Sequence, residues 1–506
     1  MSVMPAAELT IDLAALVANY RLLKSRTANG AAAAAVKADA YGLGAAAAAP
    51  ALFAAGCRHF FVALLGEAIA LRPLVPEAAI HVLSGPLGGD EAEFIAHRIT
   101  PVLNSRPQIA LWARYCAAKG PAPAVLHLDT GMARLGLSPA ELDGLIADPA
   151  PLAAFPIPIV MSHLACSDEA EHPLNGEQLA RFRAGLGRLL PLLPKRPIVS
   201  FANSSGIFLG PDFHFDLLRP GAALYGINPT PKAPNPMRQV VGLKARILQV
   251  RQIDAHQTVG YGAAHRSPRA TRLATLGLGY ADGMLRSLSQ VGAAYVGGIR
   301  APFVGRVSMD LITIDVGEVP PGLARLLPLL PKRPIVSFAN SSGIFLGPDF
   351  HFDLLRPGAA LYGINPTPKA PNPMRQVVGL KARILQIRQI DAHQTVGYGA
   401  AHRSRRATRL ATLGIGYADG MLRSLSQVGA AYVGEIRAPF VGRVSMDLIT
   451  IDVGEVPAGL AEAGAWVEIL GPRQSADELA AAAGTIGYEV LTSLGRRYQR
   501  HYIAAE

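Results

Sequence analysis

The chain has 506 residues, half of them apolar, and a formal net charge of +11. A chain of this length and apolar content can bury the cores of two domains, which excludes an intrinsically disordered protein. The positive charge is not gathered into a basic tract with interleaved aromatic residues, so the sequence gives no support for nucleic-acid binding.

The N-terminus and the cysteines indicate a soluble cytoplasmic protein without a membrane partner. The opening sequence MSVMPAAELTIDLAAL lacks the basic region and unbroken apolar stretch of a signal peptide. The most apolar tract, 45–55, is too short to span a bilayer and contains Pro50. Cys57, Cys116 and Cys166 are odd in number and lack metal-ligand spacing, so we expect buried thiols in a reducing compartment and no metal.

From residue 31 onward, short apolar runs suited to strands buried on both faces alternate with helical stretches. The strand-like runs lie at 31–37, 59–64, 80–84, 100–103, 123–129, 158–163, 198–202 and 217–225. This alternation of eight strands with helices predicts an α/β fold whose N-terminal domain is a TIM (β/α)8 barrel rather than an open sheet.

Reactive side chains follow the ends of these strands, where the active sites of TIM barrels form. They are Lys37, Arg134, His163, Asn203, Ser204, Arg219 and Gly221. A lysine in this position is either solvated or desolvated in a pocket, where a lowered pKa suits a Schiff base or proton transfer. An arginine in such a loop forms either a surface ion pair or a bidentate contact with a substrate carboxylate. The hydroxyls and backbone N–H groups after the seventh and eighth strands suit a phosphate.

The pattern changes after residue 228. The proline-rich segment 228–236 indicates a linker, and β-branched runs such as ITIDV then alternate with glycine-containing turns. These features predict a C-terminal domain that is mostly β.

One block of 137 residues occurs twice, because 188–324 is repeated at 325–461. The five differences are Val250/Ile387, Pro268/Arg405, Leu278/Ile415, Gly298/Glu435 and Pro321/Ala458. Solenoid repeats are shorter and drift in sequence, so this block indicates a recent duplication inside an ordinary enzyme or an error in assembling its gene. One copy carries 15 Lys and Arg against 7 Asp and Glu, so a single-copy parent of 369 residues would carry a charge of +3.

Eight motifs occur in an order that resembles bacterial alanine racemase across nearly the whole single-copy parent. They are VKADAYGLG, DTGMARLG, SHLACSDE, RPGAALYG, VGYGAAHR, GYADG, GRVSMDLITID and TIGYEV. The resemblance implies a barrel followed by a β domain, the cofactor pyridoxal 5′-phosphate, a head-to-tail homodimer, and interconversion of L- and D-alanine for peptidoglycan.

The resemblance also implies two bases. Lys37 would bind the cofactor covalently and act on the D-alanine side, and Tyr261 or its duplicate Tyr398 would act on the opposite face. In the family this tyrosine comes from the partner subunit. Racemisation needs both groups, because one removes the α-proton while the other returns a proton from behind.

The remaining site residues are also implied by the resemblance. Arg219 or its duplicate Arg356 would face the pyridine nitrogen without protonating it, because a guanidinium keeps its proton. His163 would lie against the cofactor and link the arginine to the tyrosine, although by itself it reads as a structural histidine. Cofactor contacts would come from Tyr41, Asn203, Ser204, Gly221, Ala222 and Tyr488, substrate contacts from Arg134 and Met309 or Met446, and a narrowed entrance from Tyr280 or Tyr417.

The sequence departs from the family pattern at His127. The family often has a carbamylated lysine here, whose negative charge orients the arginine that corresponds to Arg134. A histidine forms no stable carbamate. We therefore expect another anion at this place or a less firmly held arginine, with the class of reaction unchanged.

The repeat encodes the last two barrel strands twice, but only one pair can close the barrel. The first copy closes it with the least loop entropy, and the unique tail follows the second copy directly. We therefore expect a barrel at 8–228, a surplus segment at 229–365 and a C-terminal β domain at 366–506. Tyr398 and Met446 would then be the working copies.

Two alternatives remain beside an alanine racemase. One is a related enzyme, either a racemase of broader amino-acid specificity or a barrel decarboxylase, although such decarboxylases lack the VGYG tyrosine that occurs here at Tyr261 and Tyr398. The other is a product that binds the cofactor but is inactive, because exposed strand edges in the surplus segment favour aggregation or swapping.

Overall fold

The computed structural model describes residues 5–27, 31–320, 339–351 and 354–503, and the chain divides into two compact units. The barrel unit consists of Ile11–Val241 and Lys381–Ile469. The second unit consists of Met1–Thr10, Gly242–Leu380 and Leu470–Glu506. The barrel unit therefore joins the N-terminal part of the chain to most of the second copy's β region.

Eight parallel strands form the N-terminal part of the barrel unit, which confirms the predicted α/β barrel. The strands are Ala31–Ala32 continued by Ala34–Ala35, His59–Val62, Ala79–Val82, Ile99–Leu103, Val125–His127, Ile159–Met161, Ile198–Ser200 and Leu217–Leu218. Leu217–Leu218 pairs in parallel with Ala31–Ala32 and so brings the last strand back to the first. The last two strands of the eight, Ile198–Ser200 and Leu217–Leu218, belong to the first copy.

Helices connect these strands, and their starts carry the expected signals. The helices are Leu13–Lys24, Ala45–Ala54, Leu65–Leu71, Glu91–Ala96, Arg106–Lys119, Pro139–Ala147 and Pro173–Leu189. The Ser138 hydroxyl accepts from the Glu141 N–H, and the Glu141 carboxylate accepts from the Ser138 N–H, so the pair forms a capping box. Leu179, Phe182 and Leu186 recur at helical spacing and are buried.

The second copy supplies five strands of a closed β barrel to the same unit, and the sixth strand, Trp466–Leu470, follows the repeated block. The six strands, in order of pairing, are Leu380–Ile390, Thr408–Leu413, Ile449–Asp452, Ile436–Val441, Ala430–Val433 and Trp466–Leu470. A short hairpin, Thr395–Val396 with His402–Arg403, leaves this barrel and carries the VGYG segment. The mostly β C-terminal domain predicted from the sequence is thus confirmed.

The second unit contains the first copy's β region and the C-terminal tail from residue 470. Ile247–Ile253, Thr271–Leu276 and Ile312–Asp315 form a three-stranded antiparallel sheet, beside the hairpin of Ala293–Val296 with Ile299–Pro302. Shorter pieces are the hairpin Thr258–Val259 with His265–Arg266, the strands Ala7–Ile11 and Val241–Ala245, and the helices Ser341–Ile344, Ala476–Ala482 and Gly487–Ser493. The tail is fixed by Glu489, which accepts from the backbone N–H of Arg286 at 2.9 Å.

The observed units divide the chain differently from the expected domains. Residues 470–506 were expected with the second copy's β domain, but they belong to the second unit. The physical reason is that both copies offer the tail nearly the same surface, so its choice is not encoded locally. Of the second copies of the closing strands, 335–337 lie outside the described residues, and Leu354 and Leu355 are exposed. Within the described ranges, no helix combines the length and the apolar character that a bilayer span requires.

Candidate active site

A cavity of about 1020 Å³ lies in the barrel unit where the parallel strands end. Its walls come from the strand ends and from loops of the second copy between residues 385 and 448. Lining residues expected from the sequence are Lys37, Tyr41, Arg134, His163, Asn203, Ser204, Arg219, Gly221, Ala222, Tyr398 and Met446. The structure therefore brings most of the expected site residues to one pocket.

Lys37 is presented by a left-handed turn directly after the first strand. Four consecutive non-glycine residues, Ala38 to Tyr41, have φ values between 53° and 60°. Such residues cost roughly 1–2 kcal/mol each, so other contacts must hold them. Glu67 does so: its carboxylate accepts from the Ala38 N–H at 2.6 Å and from the N–H groups of Ala63 and Leu64. This turn fixes the position of Lys37 at the pocket.

Lys37 forms an ion pair with Asp447, whose role the sequence analysis missed. The Lys37 Nζ lies 2.5 Å from Oδ2 of Asp447, which is 9 % exposed. Burial by itself lowers the pKa of Lys37, but the charge of Asp447, the nearby Tyr398 and the hydrogen bond to Asp447 together outweigh it, so the pKa lies above its usual value. The available signal was the motif SMDL, in which Asp447 follows Met446. In this state the amine is protonated at neutral pH.

Asp447→Asn is expected to lower the pKa of Lys37 below that of an ordinary lysine. Removing the carboxylate removes the main influence that opposes burial, and burial disfavours the charged amine. Only a neutral amine reacts with trinitrobenzenesulfonate, so the pH at half-maximal labelling of Lys37 should move down. Peptide mass spectrometry measures the labelling. Asp310→Asn is the matched control, because Asp310 is the exposed counterpart in the first copy. Equal profiles in both variants would contradict the assignment.

Tyr398 enters the pocket on the VGYG hairpin. Its hydroxyl forms a hydrogen bond of 2.7 Å with Nε2 of His163, and the Arg134 guanidinium lies 4.7 Å from the centre of its ring. The backbone N–H groups of Gly397 and Gly399 donate to Met132 and Ala165, each at 2.8 Å. The tyrosine is thus held at both its backbone and its hydroxyl.

His163 and Arg219 carry different charges at neutral pH. Burial, followed by the nearby cations Arg134 and Arg219, lowers the pKa of His163 well below its usual value, so the imidazole is neutral. Burial lowers the pKa of Arg219 only to about 10, which leaves the guanidinium protonated. Arg219 donates to Oγ of Ser200 and to the carbonyl of Ser162, each at 2.5 Å.

Ser204, Gly221 and Tyr41 lie together at the mouth of the barrel, where the hydroxyls of Ser204 and Tyr41 can donate. The Ser204 Oγ accepts from the N–H groups of Gly221 at 2.9 Å and Ala223 at 3.1 Å. A Cβ atom on residue 221 would lie 2.2 Å from the Tyr41 hydroxyl, so only glycine admits this approach. Burial raises the pKa of Tyr41 well above its usual value and keeps its hydroxyl protonated. The cluster suits an anion with several oxygens.

His127 and Arg134 show how the departure from the family pattern is accommodated. Burial lowers the pKa of His127 to about 3, so it supplies neither a positive nor a negative charge. Its Nδ1 lies 2.8 Å from Oδ1 of Asn104 and donates to it. The backbone carbonyl of Arg134 accepts from Thr412 at 2.7 Å, and its buried Nε has no hydrogen-bond partner among the described residues. Arg134 thus retains an unused donor beside the pocket.

A second ion pair, between Asp129 and Arg388, joins the second copy to the loop that carries Arg134. Asp129 caps the loop by accepting from the N–H groups of Gly131, Met132 and Ala133. The other carboxylate oxygen pairs with the Arg388 guanidinium, and both side chains are about 5 % exposed or less. Neither partner was singled out from the sequence, because 259 residues separate them.

Arg388→Met is expected to lower the free energy of unfolding of the barrel unit by about 3–5 kcal/mol, because it leaves Asp129 buried without its cation. Urea unfolding followed by tryptophan fluorescence measures this, since both tryptophans, Trp112 and Trp466, lie in the barrel unit. The control Arg251→Met alters the exposed counterpart and should cost less than about 0.5 kcal/mol. Similar losses in both variants would show that Arg388 is not specially placed.

Three expected site residues lie in the second unit rather than along this pocket. Tyr261 is 65 % exposed, Met309 is partly buried, and Tyr488 packs into a cluster with Leu276 and Tyr280. In the pocket, Tyr417 is the copy that lines the wall. Asn203 lines the pocket, but its Oδ1 accepts from Ser167 and from the Gly206 N–H, which is a structural role.

Two family models match the chain, and each matches it in two segments. The model of the alanine racemase N-terminal domain matches residues 11–229 and 323–366. The model of the alanine racemase C-terminal domain matches residues 240–327 and 377–502.

Proteins similar to this chain are also described as alanine racemases. An alanine racemase of Rhodospirillum rubrum is 54 % identical over 322 residues, which are 63 % of this chain and 85 % of the relative. A catabolic alanine racemase of Mesorhizobium japonicum is 47 % identical over 358 residues, or 68 % of this chain and 92 % of the relative. The crystal structure of alanine racemase from Bartonella henselae, with covalently bound pyridoxal phosphate, is 32 % identical with a TM-score of 0.60, covering 99 % of this chain and 100 % of that one.

Proposed function

The chain belongs to the alanine racemase family, and from this membership we propose that it interconverts L- and D-alanine with pyridoxal 5′-phosphate, using Lys37 and Tyr398 as two bases. The observation that carries the proposal is the placing of both residues in one pocket, with the Tyr398 hydroxyl bonded to His163 at 2.7 Å. A lysine amine and a phenol can each exchange a proton with an α-carbon.

The pocket fits the cofactor. The hydroxyls of Tyr41 and Ser204 would hold the phosphate, and Gly221 would leave room beside them, because a Cβ on residue 221 would collide with the Tyr41 hydroxyl. Lys37 would be the point of covalent attachment, and Arg219 would face the ring nitrogen. When bound, pyridoxal phosphate supplies an electron-withdrawing ring that stabilises the negative charge left on the α-carbon.

The retained proton of Arg219 affects which reaction the bound cofactor would favour. Its guanidinium already donates to Ser200 and Ser162, and its pKa of about 10 means that it keeps its proton. It therefore hardly protonates a nitrogen that faces it. With that nitrogen unprotonated, the bound cofactor would supply a weaker electron sink, which would favour racemisation over side reactions such as transamination.

His163 and Arg134 would position Tyr398. The neutral His163 can share the hydroxyl proton of Tyr398, and the Arg134 cation lies over the tyrosine ring. The unused Nε of Arg134 would donate to the substrate carboxylate, together with the backbone of Met446. Tyr417 on the pocket wall would favour a small side chain such as methyl, while a broader racemase remains the alternative.

The test is the rate of exchange between L- and D-alanine by the purified full-length chain with added cofactor, measured by chiral chromatography. Visible absorbance that survives dialysis reports covalent cofactor. Exchange of alanine together with this absorbance supports the proposal. Absorbance without exchange of alanine or serine would identify the inactive, cofactor-binding alternative, and preferential turnover of serine would identify the broader racemase.

We further propose a cytoplasmic enzyme that supplies D-alanine for peptidoglycan and forms a homodimer, as the resemblance implies. Support for the location comes from Cys57, Cys116 and Cys166, which are buried and unpaired. Light scattering measures the mass, and growth of a D-alanine auxotroph carrying this gene tests the supply. We also infer that the repeat arose by duplication, which sequencing across the junction near residue 325 will test.

A further inference from the structure

We propose that one chain completes its own active site, so that the second copy supplies Tyr398, Met446 and Asp447 to the barrel of the same molecule and no second chain contributes a residue. This rests on the proposed function for its activity readout. It differs from what the family resemblance implies, namely that the tyrosine comes from a partner subunit. The duplication would thus have turned an exchange between subunits into a contact within one chain.

The first support is a built contact surface between the second copy and the barrel loops. Besides the buried pair of Arg388 with Asp129, Gln386 is buried and donates to the carbonyl of Asn104 at 3.3 Å. Thr412 donates to the carbonyl of Arg134 at 2.7 Å. Buried polar contacts of this kind stabilise only a specific docking geometry, because an unmatched partner would be left unsatisfied.

The second support is the anchoring of the tyrosine hairpin. Gly397 and Gly399 flank Tyr398, and both donate their backbone N–H groups to the barrel loops. An apolar cluster shared by the two parts lies beside them, formed by Ala133, Ile390, Val396, Leu410 and Val441. The hairpin is therefore fixed on two sides, and the position of Tyr398 does not depend only on the hydrogen bond of its hydroxyl to His163.

The third support is an internal comparison between nearly identical sequences. Leu385 is 7 % exposed, while its first-copy counterpart Leu248 is 46 % exposed. Arg388 is buried and its counterpart Arg251 is exposed. Because this strand differs between the copies only at Val250/Ile387, the sequence does not cause the difference. What differs is the surroundings of each strand, and Tyr261, the counterpart of Tyr398, is 65 % exposed.

Covalent linkage explains why docking within the chain should prevail. A tethered domain competes at an effective concentration in the mM range, whereas a partner chain in an assay is present at far lower concentration. The two copies offer almost the same contact residues, so concentration rather than affinity decides between them. Tyr398 should therefore occupy the pocket even in a dimer.

The first experiment is complementation between defective chains. A Tyr261→Phe/Tyr398→Phe double variant keeps Lys37 but has no VGYG tyrosine. Lys37→Ala keeps both tyrosines but lacks the lysine that the barrel site needs for activity. The two are purified separately, and also co-expressed with different tags and isolated through both tags. If each chain uses its own tyrosine, the isolated mixture has no more activity than the sum of its parts. Restored activity would overturn the proposal, because only tyrosine exchange can create it.

The second experiment has a readout independent of activity, which keeps failure of this inference distinct from failure of the proposed function. Ala133 and Val396 belong to one apolar cluster, so Ala133→Cys/Val396→Cys places two thiols on the two sides of the contact. After oxidation, a crosslink found by mass spectrometry within a monomer band supports the proposal. A crosslink confined to a dimer band would overturn it. Ala133→Cys/Val259→Cys, which uses the first-copy counterpart, is the matched control and should give no crosslink within a monomer.

Discussion

Tyr398→Phe is expected to lower the turnover number for alanine racemisation by about 10²–10⁴-fold, the range for losing a positioned acid or base, while Tyr261→Phe leaves it nearly unchanged. Only the hydroxyl is removed, so the ring can still pack beneath Arg134. Tyr398 is bonded to His163 in the pocket, whereas Tyr261 is 65 % exposed in the second unit. The same chemical change at two identical motifs should thus give very different effects.

The effect of Tyr398→Phe on exchange of the α-proton should also differ between D-alanine and L-alanine. Lys37 is proposed as the base on the D-alanine side, so Tyr398→Phe should still exchange the α-proton of D-alanine with deuterium in heavy water. Exchange of the L-alanine proton should fall with turnover. NMR follows both exchanges in separate samples. If Tyr261→Phe produced the larger loss, or if both exchanges fell equally, Tyr398 would not be the specific base.

The barrel and most of its rim could be predicted because they follow from local signals. Apolar runs buried on both faces gave the strands, and strand ends placed Lys37, Arg134, His163 and Arg219 on one rim. Parallel topology itself brings such residues together, whatever their spacing in sequence. Their individual roles were implied by the family motifs and remain proposals.

The partners of these residues could not be predicted, because they depend on contacts between distant segments. Asp447 lies 410 residues from Lys37 in sequence, and Arg388 lies 259 residues from Asp129. The motif SMDL marks Asp447 as a candidate, but it does not show which cation the carboxylate faces. The left-handed turn is similarly hidden, since Ala38 to Tyr41 contain no glycine and Glu67 holds the turn from another helix.

The assignment of the two copies shows a different limit. Nearly identical sequences cannot encode different environments locally, so tertiary contacts decide which copy packs where. The first copy closes the barrel, the second supplies the tyrosine hairpin, and residues 470–506 join the second unit. Sequence reasoning expected the tail to stay with the second copy because it follows that copy directly, and loop-closure entropy favours this only weakly, since it grows logarithmically with loop length. A small difference in packing is enough to override it.

Lys37→Ala is expected to reduce racemisation by on the order of 10⁴-fold or more and to abolish cofactor that survives dialysis, because one side chain serves as both anchor and base. Lys37→Arg tests whether charge alone matters. It keeps a cation for Asp447, but a guanidinium does not give up its proton, so it can be neither nucleophile nor base. Both variants should therefore be inactive, while Lys37→Arg keeps the stability of the ion pair.

Chemical rescue separates lost chemistry from lost structure. Lys37→Ala leaves space for a small amine beside Asp447, so added methylamine should restore part of the rate, and restoration should increase with pH as the free amine forms. Lys37→Arg fills that space and should not respond. Chiral chromatography measures the rate, and urea unfolding compares the folds of the variants. If Lys37→Arg kept much more turnover than Lys37→Ala, the positive charge of residue 37 rather than its proton transfer would be what the reaction requires. Wild-type turnover in Lys37→Ala would show that the reaction does not need residue 37.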